Sequence, residues 1–206
     1  MTTTAPPIHN GSLEAFRFEP LRVVDLPLLA TWLARPHVAR WWRESADLAS
    51  VTRRYGPLAE GIDPTEAFIV HAVDHKVDRK VGYVQRYLID DDPDWREALR
   101  QAVHDVGDIG IDYFIGEPDL IGIGVGRRMI AQFVDTCWVR YPSADQITVV
   151  LQQDNVASWK ALEASGFRRL WSGDIESSDP SDRGLSFIYI ANRAPSRAST
   201  AAQEPL

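Results

Sequence analysis

Residues 110–130 read GIDYFIGEPDLIGIGVGRRMI, and the passage changes its period halfway along. Up to Gly116 the β-branched and aromatic alternation of DIGIDYFIG is that of a strand bounded by glycines. From Val125 onward, VGRRMIAQFVDTCWVRY has the apolar spacing of a long amphipathic helix. Between the two, Gly122, Gly124 and Gly126 stand on alternate positions. Glycines at a strand-to-helix junction let backbone N–H groups converge on an anion, and the helix N-terminus adds about half a positive charge. The junction therefore reads as a phosphate cradle. The plainer alternative is a glycine-rich helix start that serves only tight packing. Spacing removes two other phosphate loops. No Lys-Ser or Lys-Thr pair closes the glycines, as a Walker loop requires. The pattern is GxGxG rather than GxGxxG, and the next strand, QITVVLQ, is followed by no acid before Asp154, so a dinucleotide fingerprint is absent.

Working outward toward the C-terminus, QITVVLQ is a nearly continuous apolar strand of the kind buried on both faces. Residues 155–165 have helical spacing and end at Gly166 in the manner of a left-handed cap. FRRLWSG and GLSFIYIAN are two closing strands. Toward the N-terminus, KVGYVQRYLI and AFIVHAV make a hairpin around the turn-like DHKVDRK. Residues 45–60 are helical and stop near Gly61, RPHVARWW is a connection, and Asp25 caps a short helix, DLPLLATWLA, with Pro27 in its first turn. FRFEPLRVV is the first strand. Hairpins come first, and strand, helix, strand, helix, strand comes later. The predicted architecture is a single α+β domain over residues 16–191, with a sheet of six or seven strands. Residues 1–15 and 192–206, rich in Thr, Ser, Pro and Ala, are expected to be poorly ordered tails without function.

With 206 residues, 45% of them hydrophobic, the chain can bury one full core and is short for two. Its one cysteine, Cys137, falls inside the long helical pattern and is expected to be a buried structural thiol, so neither a disulfide framework nor a thiolate metal cluster is available. The opening MTTTAPPIHNGSLEA has no basic stretch followed by an apolar core, and no apolar run is long enough to cross a bilayer, which predicts a cytoplasmic protein with no membrane partner. His37, His71, His75 and His104 show no ligand spacing, and no metal is expected.

The net charge of −7 is localised: between Asp90 and Asp119 there are ten acids and two bases, against 19 acids and 20 bases elsewhere. Such a segment repels nucleic acid and favours a cationic ligand. Taken alone it also fits a solvated acidic loop that aids solubility.

GIDYFIGEPDLIGIGVGRRMI followed by DNVASWKALEASGF resembles the acetyl-coenzyme A signature of the GNAT N-acetyltransferase superfamily. More narrowly, LARPHVARWW, VGYVQRYL, GID, GEPDLIG and the Asn-to-Gly-Phe segment, in this order over about residues 16–190, are similar to aminoglycoside 6′-N-acetyltransferases. The resemblance implies a mixed sheet with flanking helices and a splayed central strand pair, DYFIG against QITVVLQ. It implies acetyl-coenzyme A (acetyl-CoA) as cosubstrate. The amides of Gly122, Ile123, Gly124, Val125, Gly126 and Arg127 would hold its pyrophosphate, the main chain near Phe114 and Ile115 its pantetheine arm, and Asn155 would contact it from the other side. Ile121 and Ile123 depart from the family, which prefers Arg or Gln and often Lys there; losing side-chain donors weakens the grip but leaves the backbone amides.

The implied chemistry is direct transfer. An ammonium loses a proton, the amine attacks a thioester, and the carbonyl develops negative charge. Asp112 of GID matches the family's proposed base; the plainer alternative is a strand-end Asp that holds a loop amide. Many relatives carry a Tyr where this chain has Leu162, and since a thiolate leaves readily near neutral pH, no general acid is assigned. For the substrate, the resemblance implies Trp41 and Trp42, of which at least one is expected to be core, together with Tyr55, Gln85, Tyr87 and Asp94. For Tyr87 a core and a site role are evenly matched. The acidic run gains a second explanation as a funnel for a polycation. The expected function is transfer of acetyl to an aminoglycoside amine, most specifically the 6′ amine. The rivals are acetylation of a siderophore lysine-type amine or hydroxylamine, and a non-catalytic acetyl-CoA-binding protein. Nothing in the sequence separates a monomer from a homodimer.

Overall fold

The computed structural model describes residues 15–74, 78–104, 106–177 and 184–194. Within these, seven strands form one mixed sheet: β1 (Ala15–Pro20), β2 (Glu66–Val73), β3 (Asp78–Leu88), β4 (Ile109–Ile115), β5 (Gln146–Gln152), β6 (Arg168–Asp174) and β7 (Leu185–Asn192). Their order is β1-β2-β3-β4-β5-β7-β6, and every neighbouring pair is antiparallel except β4 and β5. That parallel pair is the hinge of the architecture. It is joined only at Ile109↔Ile147 and Gly110↔Thr148, after which the two strands part and leave a gap in the middle of the sheet. The α+β class and the splayed central pair agree with expectation. Residues 1–14 and 195–206, most of both expected tails, lie outside the described residues, as do His75 and the centre of the β2–β3 turn.

Six helices cover the faces of the sheet among the described residues: α1 (Leu26–Leu33), α2 (Pro36–Trp42), α3 (Leu48–Ala59), α4 (Pro93–Ala102), α5 (Val125–Arg140) and α6 (Val156–Ala164). Two of them correct the sequence reading. RPHVARWW is not a connection but helix α2, because Pro36 occupies its first turn, where a missing N–H costs nothing and the fixed φ favours the helix. The acidic stretch is not all loop: Asp92 accepts from the Trp95 amide at 3.0 Å and starts α4, with Pro93 next in line. Its apolar side chains, Trp95, Ala98, Leu99 and Ala102, follow helical spacing and pack over Ile89, Ile188 and Ile190.

Two smaller expectations also change. The first strand stops at Pro20, which removes a ladder donor, and VVD is a turn of 3-10 helix. Asp25 makes no side-chain cap to α1; it is buried and accepts from the Lys80 ammonium at 2.5 Å and the Arg22 amide at 3.1 Å. The remaining helix signals hold: Gly166 takes φ 92° after α6, and α3 ends at Ala59, just before Gly61; its start lies at Leu48 rather than at residue 45, because Asp47 caps it.

The two faces of the sheet carry different cores. On one, α5 and α6 cover Val84, Ile109, Ile111, Ile147 and Val149 through Met129, Ile130, Phe133 and Leu162. On the other, α1, α2 and α3 cover Ile69, Tyr83 and Phe114 through Leu29, Trp32, Val38 and Val51. Cys137 is fully buried in the first core, and burial pushes its thiol up to about 11, as an inert structural cysteine should behave.

Candidate active site

Strand β4 presents alternate side chains to the two faces, as any strand must. Phe114 belongs to the α1–α3 core, and Asp112 faces that side beside Gln85 of β3, whereas Ile111 and Tyr113 turn toward α5 and α6. The main chain alternates in the other plane. Ile89 N donates to Asp108 O at 3.0 Å and Gly116 N to Val81 O at 2.8 Å, so the even-numbered residues of β4 direct their backbone groups at β3. Those of Ile111, Tyr113 and Ile115 therefore point into the gap. The expectation for the main chain at Phe114 is corrected on this ground: its carbonyl is turned to β3, where it would lie 2.4 Å from a Cβ on Gly82. Ile115 does face the gap, and its carbonyl accepts from His37 Nε2 at 3.1 Å, leaving a second lone pair.

At the end of β4 the GEPD turn is clamped. Arg79 spans Asp119 and Glu117 at 2.8 and 2.7 Å, while Arg35 and the Trp32 indole N–H also hold Glu117, at 3.0 and 2.8 Å. The Arg79 guanidinium is the largest influence holding the Asp119 carboxyl below the usual range; at Glu117 burial works the other way and is outweighed by the Trp32 indole N–H, then Arg79 and Arg35. These two acids are structural, not part of a funnel. The chain then turns through Gly122 (φ 79°) and Gly124 (φ 83°), left-handed conformations that favour glycine, and enters α5. The six amides from Gly122 through Arg127 have no acceptor among the described residues. They lie at the N-terminus of α5, on the same face of the sheet as Tyr113 and α6. Such a row of unsatisfied donors fits a diphosphate, and the parted strands beside it fit an extended arm. Val125 is fully buried and Ile123 packs on the core, so only their amides serve this edge.

On the far side of the gap is a cleft of about 820 Å³. Trp41, Trp42, Gln85, Tyr87, Asp94, Asp112 and Asn155 all line it. Asp112 accepts from Gln85 Nε2 at 2.8 Å, and the Tyr83 hydroxyl donates to Gln85 Oε1 at 2.6 Å. Tyr83 is fully buried; burial first, and then the charge of Asp112, push its phenol well above the usual range, so it is a donor. The phenol thus fixes the amide, and the amide aims the carboxylate. Gln85, expected at the substrate, is a positioning residue for Asp112 as well as a wall. Trp42 packs edge-on against Phe114 and Tyr83, with ring centroids 5.0 and 5.7 Å apart, so it is the more core-like of the tryptophan pair. The Tyr87 ring lies over Gly110, where a Cβ would fall 2.3 Å from it; the glycine of GID is what lets that ring lie flat.

Tyr55 is a correction. It is 1% exposed and does not line the cleft; its hydroxyl donates to Glu44 Oε2 at 2.9 Å, and Arg54 pairs with the other oxygen at 3.1 Å. Glu44, not Tyr55, reaches the cleft from this cluster. Asn155 is on the wall but its side chain caps α6, accepting from the Ser158 amide at 3.3 Å. The acidic run divides: Asp91, Asp92, Asp94 and Asp112 line the cleft, whereas Asp90 pairs with Arg96 at 2.7 Å and Asp108 accepts from the Asp145 amide at 2.8 Å. Glu44, Asp63 and Glu176 join the lining from outside the run, bringing its carboxylates to seven, and Arg54 is the only base among the described lining residues. Sequence reasoning also passed over Trp95, Tyr113 and Ser158 on this wall. Tyr113 could have been noticed as the neighbour of Asp112, one pleat away. No group of three or more His, Cys, Asp or Glu that could hold a metal is present among the described residues, and no helix there is long and apolar enough to cross a membrane.

A parted parallel pair, a bare-amide helix start on one face and a carboxylate-lined cleft on the other define an acyl-transfer fold, and the chain belongs to the acetyltransferase (GNAT) domain family, which matches residues 23–175. It is 26% identical over 153 residues to the aminoglycoside N(6′)-acetyltransferase type 1 of Klebsiella pneumoniae and, equally, to that of Serratia marcescens, each match covering 70% of both chains. Among solved structures, an aminoglycoside acetyltransferase in complex with coenzyme A has the same fold, with a TM-score of 0.71, 22% identity, and coverage of 87% of this chain and 95% of that one. A structure of an aminoglycoside acetyltransferase with paromomycin and acetyl-CoA matches with the same score and identity, covering 87% and 94%.

Proposed function

We propose that the protein transfers acetyl from acetyl-CoA to an amine of an aminoglycoside, the 6′ amine, with Asp112 as the base. The observation that carries this reading is the aimed carboxylate: Asp112 is held by Gln85 where the β4–β5 gap opens into a cleft with six further carboxylates. A polycation suits that wall, since each ammonium finds a counter-charge and an aromatic face in Trp41, Trp95 or Tyr87. Asp112 accepts a proton from the arriving ammonium, and the neutral amine attacks the thioester carbonyl. Acetyl-CoA, when bound, supplies the activated acyl group, with its diphosphate on the amides of Gly122 through Arg127 and its arm along Ile115. Solved structures of the same fold hold coenzyme A, or paromomycin together with acetyl-CoA, which supports acetyl-CoA and an aminoglycoside as the two ligands.

The test is thiol release from acetyl-CoA over kanamycin-type and gentamicin-type acceptors beside lysine-derived amines, with the acetylated position read by NMR. Turnover on aminoglycosides with acetyl at N6′ is expected, and Asp112→Asn is expected to lower kcat/KM by about 10²–10⁴-fold while leaving coenzyme A affinity unchanged. Turnover confined to the lysine-derived amines would replace the substrate. Thiol release undiminished in Asp112→Asn would remove the base.

A further inference from the structure

The thioester sulfur must leave with an electron pair, and α6 offers it nothing at Leu162, which is fully buried among apolar side chains. A different hydroxyl does reach this place. Tyr113 lies on the face of the sheet that α6 covers, and its phenolic oxygen is 2.8 Å from Ser158 Oγ. Ser158 and Leu162 are four residues apart on one helix, so they share a face, and Tyr113 brings a phenol to within a turn of Leu162. Both Tyr113 and Ser158 line the cleft. We propose that Tyr113 is a catalytic residue, the hydrogen-bond donor that holds the leaving thiolate, with Ser158 as the residue that positions it.

The strand itself divides the labour. Asp112 and Tyr113 are neighbours on β4, so one faces the acceptor side of the sheet and the other the side of the bare amides, and both border the gap between β4 and β5. Once Asp112 has passed the ammonium's first proton to solvent, the N–C bond forms as the amine's second proton passes to the same carboxylate. The C–S bond breaks and its electron pair goes to sulfur, where the Tyr113 O–H meets the charge and keeps its own proton. The thiolate takes a proton from water on release, and Asp112 returns one. Burial pushes the Tyr113 phenol well above its usual range, the Ser158 bond only partly offsets this, and the charge of Asp112 adds to it. Such a phenol stays protonated and donates without transferring, which fits a leaving group that needs its charge held more than neutralised.

The proposal rests on the acetyl-CoA reading above, and its first test uses no acceptor. Coenzyme A bound to the whole protein is titrated by the ultraviolet absorbance of its thiolate. In the wild type the bound thiol is expected to titrate about one unit, tenfold, below that in Tyr113→Phe, a variant that keeps the ring and its packing. Ser158→Ala should lie between the two. With saturating acetyl-CoA and aminoglycoside, Tyr113→Phe should lower kcat by about 10–100-fold with little change in the KM for acetyl-CoA, and Ser158→Ala by only a few-fold. A bound thiol that titrates alike in wild type and Tyr113→Phe overturns the donor. So do equal losses of kcat and of thermal stability in both variants, which would mark a strut between β4 and α6. A lowered thiol titration together with no turnover on any aminoglycoside supports the donor and overturns only the acceptor.

Discussion

Gly126 separates the two readings of the glycine loop. A Cβ built there would meet only the Ala161 Cβ, at 3.9 Å, which is ordinary contact, and its φ is not in the left-handed range. Packing therefore does not demand glycine at this position, and alanine would favour the helix by up to about 1 kcal/mol. What a methyl group would obstruct is an anion drawn against the amides. Gly126→Ala is accordingly expected to raise the thermal midpoint slightly and to weaken coenzyme A binding about tenfold or more, read by calorimetry, the opposite signs excluding simple misfolding. Undiminished affinity would put the diphosphate elsewhere. Asp112 shows what a residue's sequence neighbourhood can and cannot give. GID marks the carboxylate, but the bond that aims it runs from Tyr83 through Gln85, which are two positions apart on β3 and lie beside Asp112 only through the strand register. Tyr55 failed for the same reason in reverse. Its matching position is on the inner face of α3, and only the distance to Glu44 reveals that a neighbour carries its influence into the cleft.

Helix α4 sets one wall of the cleft, and its start depends on a single cap. Asp92 accepts from the Trp95 amide at 3.0 Å while also lining the cleft, so charge and cap are combined in one side chain. Two substitutions separate them. Asp92→Asn keeps a good cap and removes the charge; Asp92→Ala removes both and costs about 1 kcal/mol of helix stability. The KM for an aminoglycoside should rise more in Asp92→Ala than in Asp92→Asn, with faster hydrogen exchange confined to α4 amides. Equal KM values would mean that the cap contributes nothing to the site. Strands such as QITVVLQ and the β2–β3 hairpin were legible in the sequence because burial on one or both faces imposes a clean pattern. Helices α2 and α4 were not, although each opens with Pro in its first turn. In α4 the charge run masked a four-position apolar stripe, and in α2 the paired tryptophans read as site rather than as helix. Both helices carry cleft residues, so the site was least legible where short elements are stabilised by what they pack against rather than by their own periodicity.

Over the whole molecule the excess of negative charge is divided between structure and field. Acids at the GEPD turn are consumed by Arg79 and Arg35, and Glu66 by Arg86 and Arg140, so they project little charge outward. Seven carboxylates converge instead on the cleft, one of them, Glu44, paired there with Arg54; they are drawn from the α2–α3 and α3–β2 connections, the start of α4, β4 and the segment after β6. Only part of this could be read along the chain, since three of the seven lie outside the acidic run and arrive by folding. A concave wall of one sign concentrates field lines and speeds the approach of a polycation, and salt screens that effect over a Debye length of about 10 Å at 0.1 M. The kcat/KM for a tetra-amine acceptor should therefore fall about tenfold or more between low and high ionic strength, while kcat changes little, because the Tyr83–Gln85–Asp112 contacts are short, partly buried hydrogen bonds that salt screens much less than long-range attraction. The slope should shrink in Asp63→Asn, which removes cleft charge outside the Tyr83–Gln85–Asp112 chain. A steady-state series in sodium chloride gives the answer: a flat kcat/KM would mean that the cleft's charge is not used to gather substrate, whatever amine is acetylated there.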